Sequence, residues 1–360
     1  MNRLRPIAIY LPQFHPIPEN DAWWGKGFTE WTNVTKARPL FEGHYQPHLP
    51  ADLGFYDLRL PEARAAQAAL AKQYGIYGFC YYHYWFNGRR ILERPFEEVL
   101  ASGKPDFPFM LCWANENWTR RWDGLEQEVL LKQEYSPVDD QVHVRDLCRA
   151  FADPRYIRVA GKPVFVVYRP ALFPDIRKTA DCWREEARRQ GIGELYLVYV
   201  QGFGNNTDPA EIGFDAALEF QPDFGNLPAR QVGTFRDRLL NRLKITPSAY
   251  PRNRIFGYDA FIARMMAKPR PAFTCYPGVT PGWDNSPRRT TDAHILTGST
   301  PDLYGKWLQH TVNRFRPPSS DENFLFINAW NEWAEGNHLE PCQKWGRSYL
   351  ETTRNALTNA

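Results

Sequence analysis

Short apolar runs recur along the chain, and each is followed by polar and aromatic residues and then by a segment with helical spacing. The runs carry little polar alternation, which is typical of parallel strands buried on both faces. Several helical segments open with proline or close with glycine, as at Pro61 and Gly75. The eight predicted strands are Ile7–Leu11, Ile76–Tyr82, Phe107–Trp113, Pro163–Tyr168, Leu195–Val200, Asp215–Leu218, Pro271–Tyr276 and the run that starts at Phe324.

Eight strands alternating with helices predict an α/β fold, a (β/α)8 TIM barrel with long loops after strands 1 and 6. We expect a single catalytic domain over residues 1–360, because no linker, repeat or low-complexity segment divides the chain. The loop after strand 1 runs to about Leu60 without a predicted helix or strand. A basic insertion spans about residues 223–256, where Leu239, Leu240 and Leu243 predict an amphipathic helix. An alternative role for its positive charge is attraction of an anionic glycan or a membrane-linked carrier.

Composition narrows the class of protein. The chain is 43% hydrophobic and 24% charged, and its net charge of +3 gives no argument for nucleic acid as a partner. No apolar run approaches the roughly 18–20 residues that span a bilayer, and the first residues lack the apolar core of a signal peptide. The six cysteines show no metal-binding spacing, and Cys80, Cys112 and Cys275 fall in predicted strands, where we expect them to be buried. These features predict a reduced, cytoplasmic protein.

The eighth predicted strand ends in a cluster of carboxylates, amides and indoles. Glu332 and Glu335 are three apart, so one helical turn would bring both side chains to the same side. Carboxylates move protons at a glycosidic oxygen, amides bind hydroxyls, and the neighbouring indoles of Trp330 and Trp333 exclude water and raise a carboxyl pKa. This composition predicts a sugar-cleaving site with Glu332 and Glu335 as catalytic residues. The alternative is a pair of surface glutamates in a capping turn.

Other strand ends supply candidate substrate-binding residues. Glu116 lies between two asparagines after strand 3, which suits an acid/base or hydroxyl-binding role, or a salt bridge to Arg120 or Arg121. His15 and His83 close predicted strands and are candidates for binding hydroxyls, with packing as the alternative. The substrate-binding residues we predict are Glu116, Asn115, His83, Tyr84, Trp85, Trp113, Trp330, Asn331, His15 and Glu340.

Neither a metal nor a cofactor is predicted. His44 and His48 are separated by a proline and lack a nearby carboxylate cluster, which argues against a zinc site. The chain has no glycine-rich phosphate loop and no serine-centred nucleophile elbow.

Several stretches resemble known families of carbohydrate-active proteins. WNEWAEG (330–336), with Leu339–Pro341, is similar to the signature of glycoside hydrolase family 99, the endo-α-mannosidases. A second resemblance, to WbsX-type proteins of polysaccharide and O-antigen gene clusters, covers nearly the whole chain. Members of that group are usually labelled glycosyltransferases. Its motifs are YLPQFH (10–15), GFTEW (27–31), GHYQPHLP (43–50) and GFCYYHYWF (78–86).

The resemblance to family 99 implies a (β/α)8 barrel that cleaves with retention of anomeric configuration. By position, Glu332 would deprotonate the sugar's own 2-hydroxyl, which attacks C1 to give a 1,2-anhydro sugar. Glu335 would be the general acid at the leaving oxygen. A 2-hydroxyl nucleophile removes the need for an enzyme carboxylate within bonding distance of C1. Ala334 stands where the mannosidases carry histidine, so the resemblance does not extend to the identity of the sugar.

Three hypotheses about function follow. The first is a retaining glycoside hydrolase or transglycosylase acting on an oligosaccharide or polysaccharide. The second is a glycosyltransferase of O-antigen, lipopolysaccharide or exopolysaccharide biosynthesis, in peripheral contact with a lipid-linked glycan, although Val138-Asp139-Asp140 is a poor diphosphate-binding motif because it begins a predicted helix. The third is a carbohydrate-binding barrel without catalysis.

Overall fold

The barrel predicted from the sequence is present in the computed structural model. The model describes residues 4–120, 125–202, 204–233, 249–289 and 291–358, with Phe235, Leu239 and Arg242 between them. Nine parallel strand segments, with helices between them, form a nearly closed barrel. The strands are β1 Arg5–Tyr10, β2 Gly78–Phe86, β3 Phe109–Trp113, β4 Lys162–Val167, β5 Tyr196–Gln201, β6 Ala216–Glu219, β7 in two segments (Cys275–Tyr276 and Gly278–Val279) and β8 Phe324–Ile327.

The strands follow one another around the barrel in chain order, and β1 pairs with both β2 and β8. Their side chains are buried on both faces, as the continuous apolar runs predict; Val164, Phe165 and Val166 in β4 are at most 1% exposed. Cys80, Cys112 and Cys275 are buried in strands, which confirms that prediction.

Strand β7 is divided at Pro277 and lies further along the chain than the predicted Pro271–Tyr276. Proline has no N–H to donate to a neighbouring strand, so regular pairing is interrupted there. The first segment pairs with β6 and the second with β8, and this joins the two ends of the sheet. A Cβ on Gly278 would lie 1.9 Å from the Glu219 carbonyl oxygen, so this close approach of β7 to β6 requires glycine.

Helices lie between and around the strands, and the loop after β1 differs from its prediction. That long loop contains two short helices, Pro18–Trp24 and Glu30–Lys36, where the sequence predicts none. The other α-helices whose bounds fall in the described residues are Pro61–Gln73, Arg94–Ser102, Pro137–Phe151, Ile176–Arg189, Ala249–Arg252, Tyr258–Ala267, Pro301–Arg314 and Ser348–Thr358.

Strand β2 is longer than predicted. It continues to Phe86 and pairs with Arg89–Ile91, so His83, Tyr84 and Trp85 belong to the strand and do not follow it. A hairpin formed by Trp118–Arg120 and Leu125–Leu131 after β3 is also absent from the prediction.

The loops after β6 and β7 meet outside the barrel, where Arg254–Gly257 and His294–Thr297 pair in parallel. The predicted amphipathic helix around Leu239–Leu243 falls mostly outside the described residues. No helix in the part of the chain that the structure describes is long and apolar enough to span a bilayer.

Candidate active site

A cavity of about 420 Å³ lies at the carboxyl ends of the barrel strands. Its lining residues follow those strands: Gln13 comes after β1, Glu116 after β3, Tyr168 after β4, and Glu332 and Glu335 after β8. Parallel strands in a barrel all point the same way, so the residues after their carboxyl ends meet at one face. Barrel enzymes build their active sites at this face.

Glu332 precedes a single turn of 3-10 helix, Trp333–Glu335, and Glu335 is its last residue. Residues three apart eclipse in such a turn, so both carboxylates face the cavity. Gly336 ends the turn with a φ of +56°, and a Cβ there would lie 3.0 Å from Asp284 Cβ. The helical turn that the spacing of the two glutamates requires is therefore present, and glycine is needed to end it.

One guanidinium holds the two glutamates together. Arg288 Nη2 donates to Glu332 Oε2 at 2.9 Å, and its Nη1 lies 2.7 Å from Glu335 Oε1. Arg288 Nη2 also donates to Glu30 Oε1, and this same oxygen accepts from the Ala334 N–H at 3.3 Å. Glu30 is fully buried. Two carboxylates from the turn after β8 and one from the loop after β1 thus share one cation.

Burial sets the protonation of this cluster. It raises the pKa of Glu332 to about 8; Arg288 opposes the rise, and the charges of Glu335 and Glu30 add to it. Burial also raises the pKa of Glu335, again opposed by Arg288 and reinforced by Glu30. With a pKa of about 8, Glu332 keeps its proton at neutral pH, and a raised pKa is what a general acid requires.

The turn is held from both sides. Below it, the Trp333 Nε1–H donates to Glu340 Oε2 at 2.6 Å; beside it, the Asp284 N–H donates to the Glu335 carbonyl at 2.6 Å. The ring of Trp31, next to Glu30, lies 5.5 Å from the ring of Trp333. Both catalytic candidates therefore stand on a backbone fixed by buried contacts.

Glu340 is buried under the turn and accepts three hydrogen bonds. The Tyr56 hydroxyl donates at 2.8 Å, Gln67 Nε2 at 2.7 Å and Trp333 Nε1 at 2.6 Å. Burial raises the pKa of Glu340 to about 7, against the opposing effect of these donors. This residue supports the turn from beneath and is not among the residues that line the cavity.

We expect Glu340→Leu to lower the free energy of unfolding by about 1–3 kcal/mol, because three buried donors lose their acceptor. Urea denaturation measures this change. Glu340→Gln is the matched control, and its loss should be smaller because the amide oxygen still accepts. A leucine variant as stable as the wild type would contradict the supporting role of Glu340.

Aromatic side chains form two walls of the cavity. On one side the Tyr84 and Trp118 rings lie 5.3 Å apart, edge to face. On the other side Phe224 lies 5.3 Å from Trp283 and 5.2 Å from His294. Walls of this kind can lie against the apolar faces of sugar rings on either side of the carboxylates.

The structure brings four of the predicted site residues to the cavity: Glu332, Glu335, Glu116 and Tyr84. Glu116 forms an ion pair with Arg169, whereas one alternative from the sequence expects Arg120 or Arg121 as its partner. Residue 121 and the side chain of residue 120 lie outside the described part of the structure.

The other eight predicted residues lie behind the cavity lining. Asn331 Oδ1 accepts from the Leu11 N–H at 2.7 Å, and its Nδ2 donates to the Leu11 carbonyl, so it joins the end of β8 to the end of β1. Asn115 makes the equivalent pair of bonds with the backbone of Arg169, which joins the ends of β3 and β4. The eight are Asn115, His83, Trp85, Trp113, Trp330, Asn331, His15 and Glu340.

The histidines among them have protein partners. His83 Nε2 lies 2.9 Å from His143 Nε2, and the His143 ring stacks on Trp85. His15 Nδ1 lies 3.1 Å from the Pro12 carbonyl oxygen, and burial lowers the pKa of His15 to about 4. These contacts match the packing alternative named in the sequence analysis.

Sequence reasoning missed Arg288 and Glu30, which complete the carboxylate cluster. No chemical role was expected for either residue: Glu30 lies in GFTEW (27–31), a motif noted only for its resemblance to WbsX-type proteins, and Arg288 lies in the loop after β7. A buried cluster of three glutamates needs a cation, and this need is the signal that could have directed attention to an arginine in a loop at the same face.

Comparison with known proteins gives a consistent result. Residues 6–353 match the family described as Glycosyltransferase WbsX. The chain is 49% identical over 355 residues to the "Uncharacterized protein WxcX" of Xanthomonas campestris pv. campestris strain B100, and 48% identical to that of strain ATCC 33913. Each match covers 98% of this chain and 50% of the relative, so the chain spans about half the length of the curated relatives it matches.

Solved structures share the fold at low sequence identity. A "Glycoside hydrolase-like protein" aligns with a TM-score of 0.62 and 14% identity, covering 99% of this chain and 94% of its own. The GH99 endo-alpha-mannosidase from Bacteroides thetaiotaomicron aligns with a TM-score of 0.57 and 14% identity, covering 99% of this chain and 97% of its own. At these identities the likeness concerns the barrel fold alone.

Proposed function

The chain belongs to the WbsX glycosyltransferase family of carbohydrate-active enzymes, and from this premise we propose that it cleaves a glycosidic bond with retention, as a hydrolase or transglycosylase. The observation that carries the proposal is the pair Glu332 and Glu335, which line one cavity and share Arg288. A carboxylate pair with raised pKa values between aromatic walls is suited to proton transfer at a glycosidic oxygen.

In the proposed mechanism Glu332 takes the proton of the sugar 2-hydroxyl. The 2-oxygen attacks C1 while the bond from C1 to the leaving oxygen breaks, and that oxygen takes its proton from Glu335. Water or another sugar then opens the 1,2-anhydro ring at C1; Glu335 accepts the proton of this nucleophile, and Glu332 returns its proton to the 2-oxygen. Each carboxyl ends the cycle as it began, and Arg288 offsets the negative charge as it moves between them.

The pKa of about 8 at Glu332 suits a general acid and supports the reverse assignment, with Glu332 as acid and Glu335 as base. A sugar bearing a fluoride leaving group distinguishes the two assignments, since fluoride departs without a general acid. On this substrate a variant that lacks the general acid keeps most of its activity, whereas a variant that lacks the base does not.

The experiment that tests the function is mass spectrometry of products from a panel of oligosaccharides. The panel includes α-mannosides and bacterial surface glycans, incubated without a nucleotide sugar. We expect chain shortening, or disproportionation to longer and shorter chains. Elongation that requires an activated sugar would instead support the second candidate, a transferase acting on a lipid-linked glycan. The family's description favours that candidate.

A carbohydrate-binding barrel without catalysis is the third candidate, and the aromatic walls alone would serve it. It predicts that the double variant Glu332→Gln/Glu335→Gln binds glycans as the wild type does, with no turnover by either protein. Isothermal titration with the same panel measures this. Turnover by the wild type that the double variant loses would reject it.

A further inference from the structure

Glu30 is a buried carboxylate to which the mechanism assigns no step, although it contacts the residue that joins the catalytic pair. It lies in the loop after β1 and begins the helix Glu30–Lys36. It is fully buried, its Oε1 accepts from Arg288 Nη2, and its backbone N–H donates to the Gln13 carbonyl at 3.0 Å. A buried charge is costly unless it is paired, so a glutamate held in this position has a role beyond packing.

We propose that Glu30 is a positioning residue that takes a share of the charge of Arg288, so that the pair Glu332 and Glu335 retains one proton at neutral pH. The proposal rests on the proposed function for the meaning of that proton. The geometry gives the reason: one guanidinium faces three carboxylates, and Nη2 is divided between Glu30 and Glu332.

A charge count shows the consequence. With Glu30 ionised, one positive charge faces up to three negative charges, and like charges in a buried site resist full ionisation. If Glu30 were neutral, the whole charge of Arg288 would act on Glu332 and Glu335. The proton that this pair retains would then leave at a lower pH, because the second carboxylate would be better stabilised. The charge of Glu30 raises the pKa of both Glu332 and Glu335, in agreement with this count.

Glu30 also acts on the backbone of the catalytic turn. Its Oε1 accepts the Ala334 N–H at 3.3 Å, midway between the two glutamates. Its neighbour Trp31 packs on Trp333 and donates through Nε1 to the Tyr56 carbonyl at 2.9 Å. Glu30 therefore contacts both Arg288 and the turn that carries Glu332 and Glu335.

Other ionisable groups surround the cluster, and most of them hold one charge state across the neutral range. Burial raises the pKa of Tyr82, Tyr84 and Tyr168 well above the usual tyrosine value, and lowers the pKa of His294 to about 4. The ring of His338 stacks on Trp333 at 3.8 Å, and burial lowers the pKa of His338 well below the usual histidine value. Other groups near the cavity or the turn are Arg289, the Glu116–Arg169 pair, the His44–Asp284 pair, and Glu340, whose pKa is about 7.

The test is a titration that needs no substrate. Infrared spectroscopy of the whole chain follows the C=O stretch of protonated carboxyl groups from pH 5 to 10. The absorption that disappears in Glu332→Gln and Glu335→Gln is assigned to the catalytic pair. Absorption from Glu340 remains in both variants and is thereby separated from it. We expect Glu30→Gln to shift the titration of the catalytic pair to lower pH by about one unit. The alkaline limb of activity should shift equally on any substrate found in the panel.

Two further variants separate charge from structure. Glu30→Asp keeps the charge, and its titration should stay at the wild-type pH even if its rate falls. Glu186→Gln removes another buried glutamate, which lies on the helix Ile176–Arg189 and pairs with Arg145, and it should leave the titration unchanged. If Glu30→Gln fails to fold, a Glu30→Asp titration at the wild-type pH supports the proposal, and a downward shift overturns it.

The outcomes distinguish this proposal from the proposed function. A titration in Glu30→Gln identical to that of the wild type rejects the role of Glu30, whatever the enzyme acts on. A shifted titration in a protein that turns over no glycan supports the charge sharing and removes the glycosidase assignment.

Discussion

Glu335→Gln is expected to lower turnover on the natural glycan by at least ~10²-fold, since general acids contribute about that factor or more. The glutamine keeps the size and one oxygen of Glu335, so contact with Arg288 at the Nη1 side can persist. The variant should therefore unfold at the same temperature as the wild type. The rate loss would then reflect the missing proton and not a disordered turn.

The leaving group provides the control for this prediction. On a glycosyl fluoride of the sugar found in the panel, Glu335→Gln should lose far less activity than on the glycan, while Glu332→Gln should lose activity on both. Near-normal turnover of Glu335→Gln on the glycan would remove the assignment. The opposite pattern between the two variants would exchange the roles of Glu332 and Glu335.

The eight strand positions could be predicted because buried parallel strands leave uninterrupted apolar runs, and turn residues separate them from helices. The predicted strand ends were wrong where hydrogen bonding to a neighbouring strand, and not local composition, determines where a strand ends. Trp85 and Phe86 extend β2 because Arg89–Ile91 folds back beside them. Pro277 divides β7 in a way that depends on both neighbouring strands.

The catalytic candidates could be predicted for a different reason. Glu332 and Glu335 are close in sequence, so helical spacing alone brings their side chains together. Local spacing could not show which of the polar residues near them line the cavity and which bond the surrounding backbone. Asn331 bonds the backbone of Leu11, a contact across 320 residues that no local pattern encodes.

The cluster around Arg288 depends most strongly on contacts between residues that are far apart in sequence. Glu30 lies 258 residues from Arg288, and Glu332 lies 44 residues beyond it. Each sits in a loop or turn whose course depends on the barrel beneath it. Composition could indicate that the strand ends are polar, but only the folded barrel determines which charges meet.

Arg288→Met tests the importance of this cluster for stability. The change leaves the buried carboxylates of Glu30 and Glu332 and the partly exposed carboxylate of Glu335 without their cation. Removal of one partner from a buried ion pair costs about 3–5 kcal/mol. The carboxyls can avoid part of that cost by staying protonated, so the loss depends on pH. An acid whose pKa is raised in the folded state contributes its full stabilisation when the pH is below its pKa in the unfolded state. This contribution is lost as the pH rises through its pKa in the folded state.

The sign of the pH effect follows directly. In the wild type Arg288 lowers the pKa of Glu332 and Glu335, and in the variant this opposition to burial is gone. We expect the difference in the free energy of unfolding between the two proteins to be larger at pH 8 than at pH 5, measured by urea denaturation. Arg145→Met removes a half-exposed partner of Glu186 and should show little change at either pH. An equal loss for Arg288→Met at both pH values would mean that the arginine fills space without balancing the three glutamates, and the charge sharing on which the proposed acid depends would have to be abandoned.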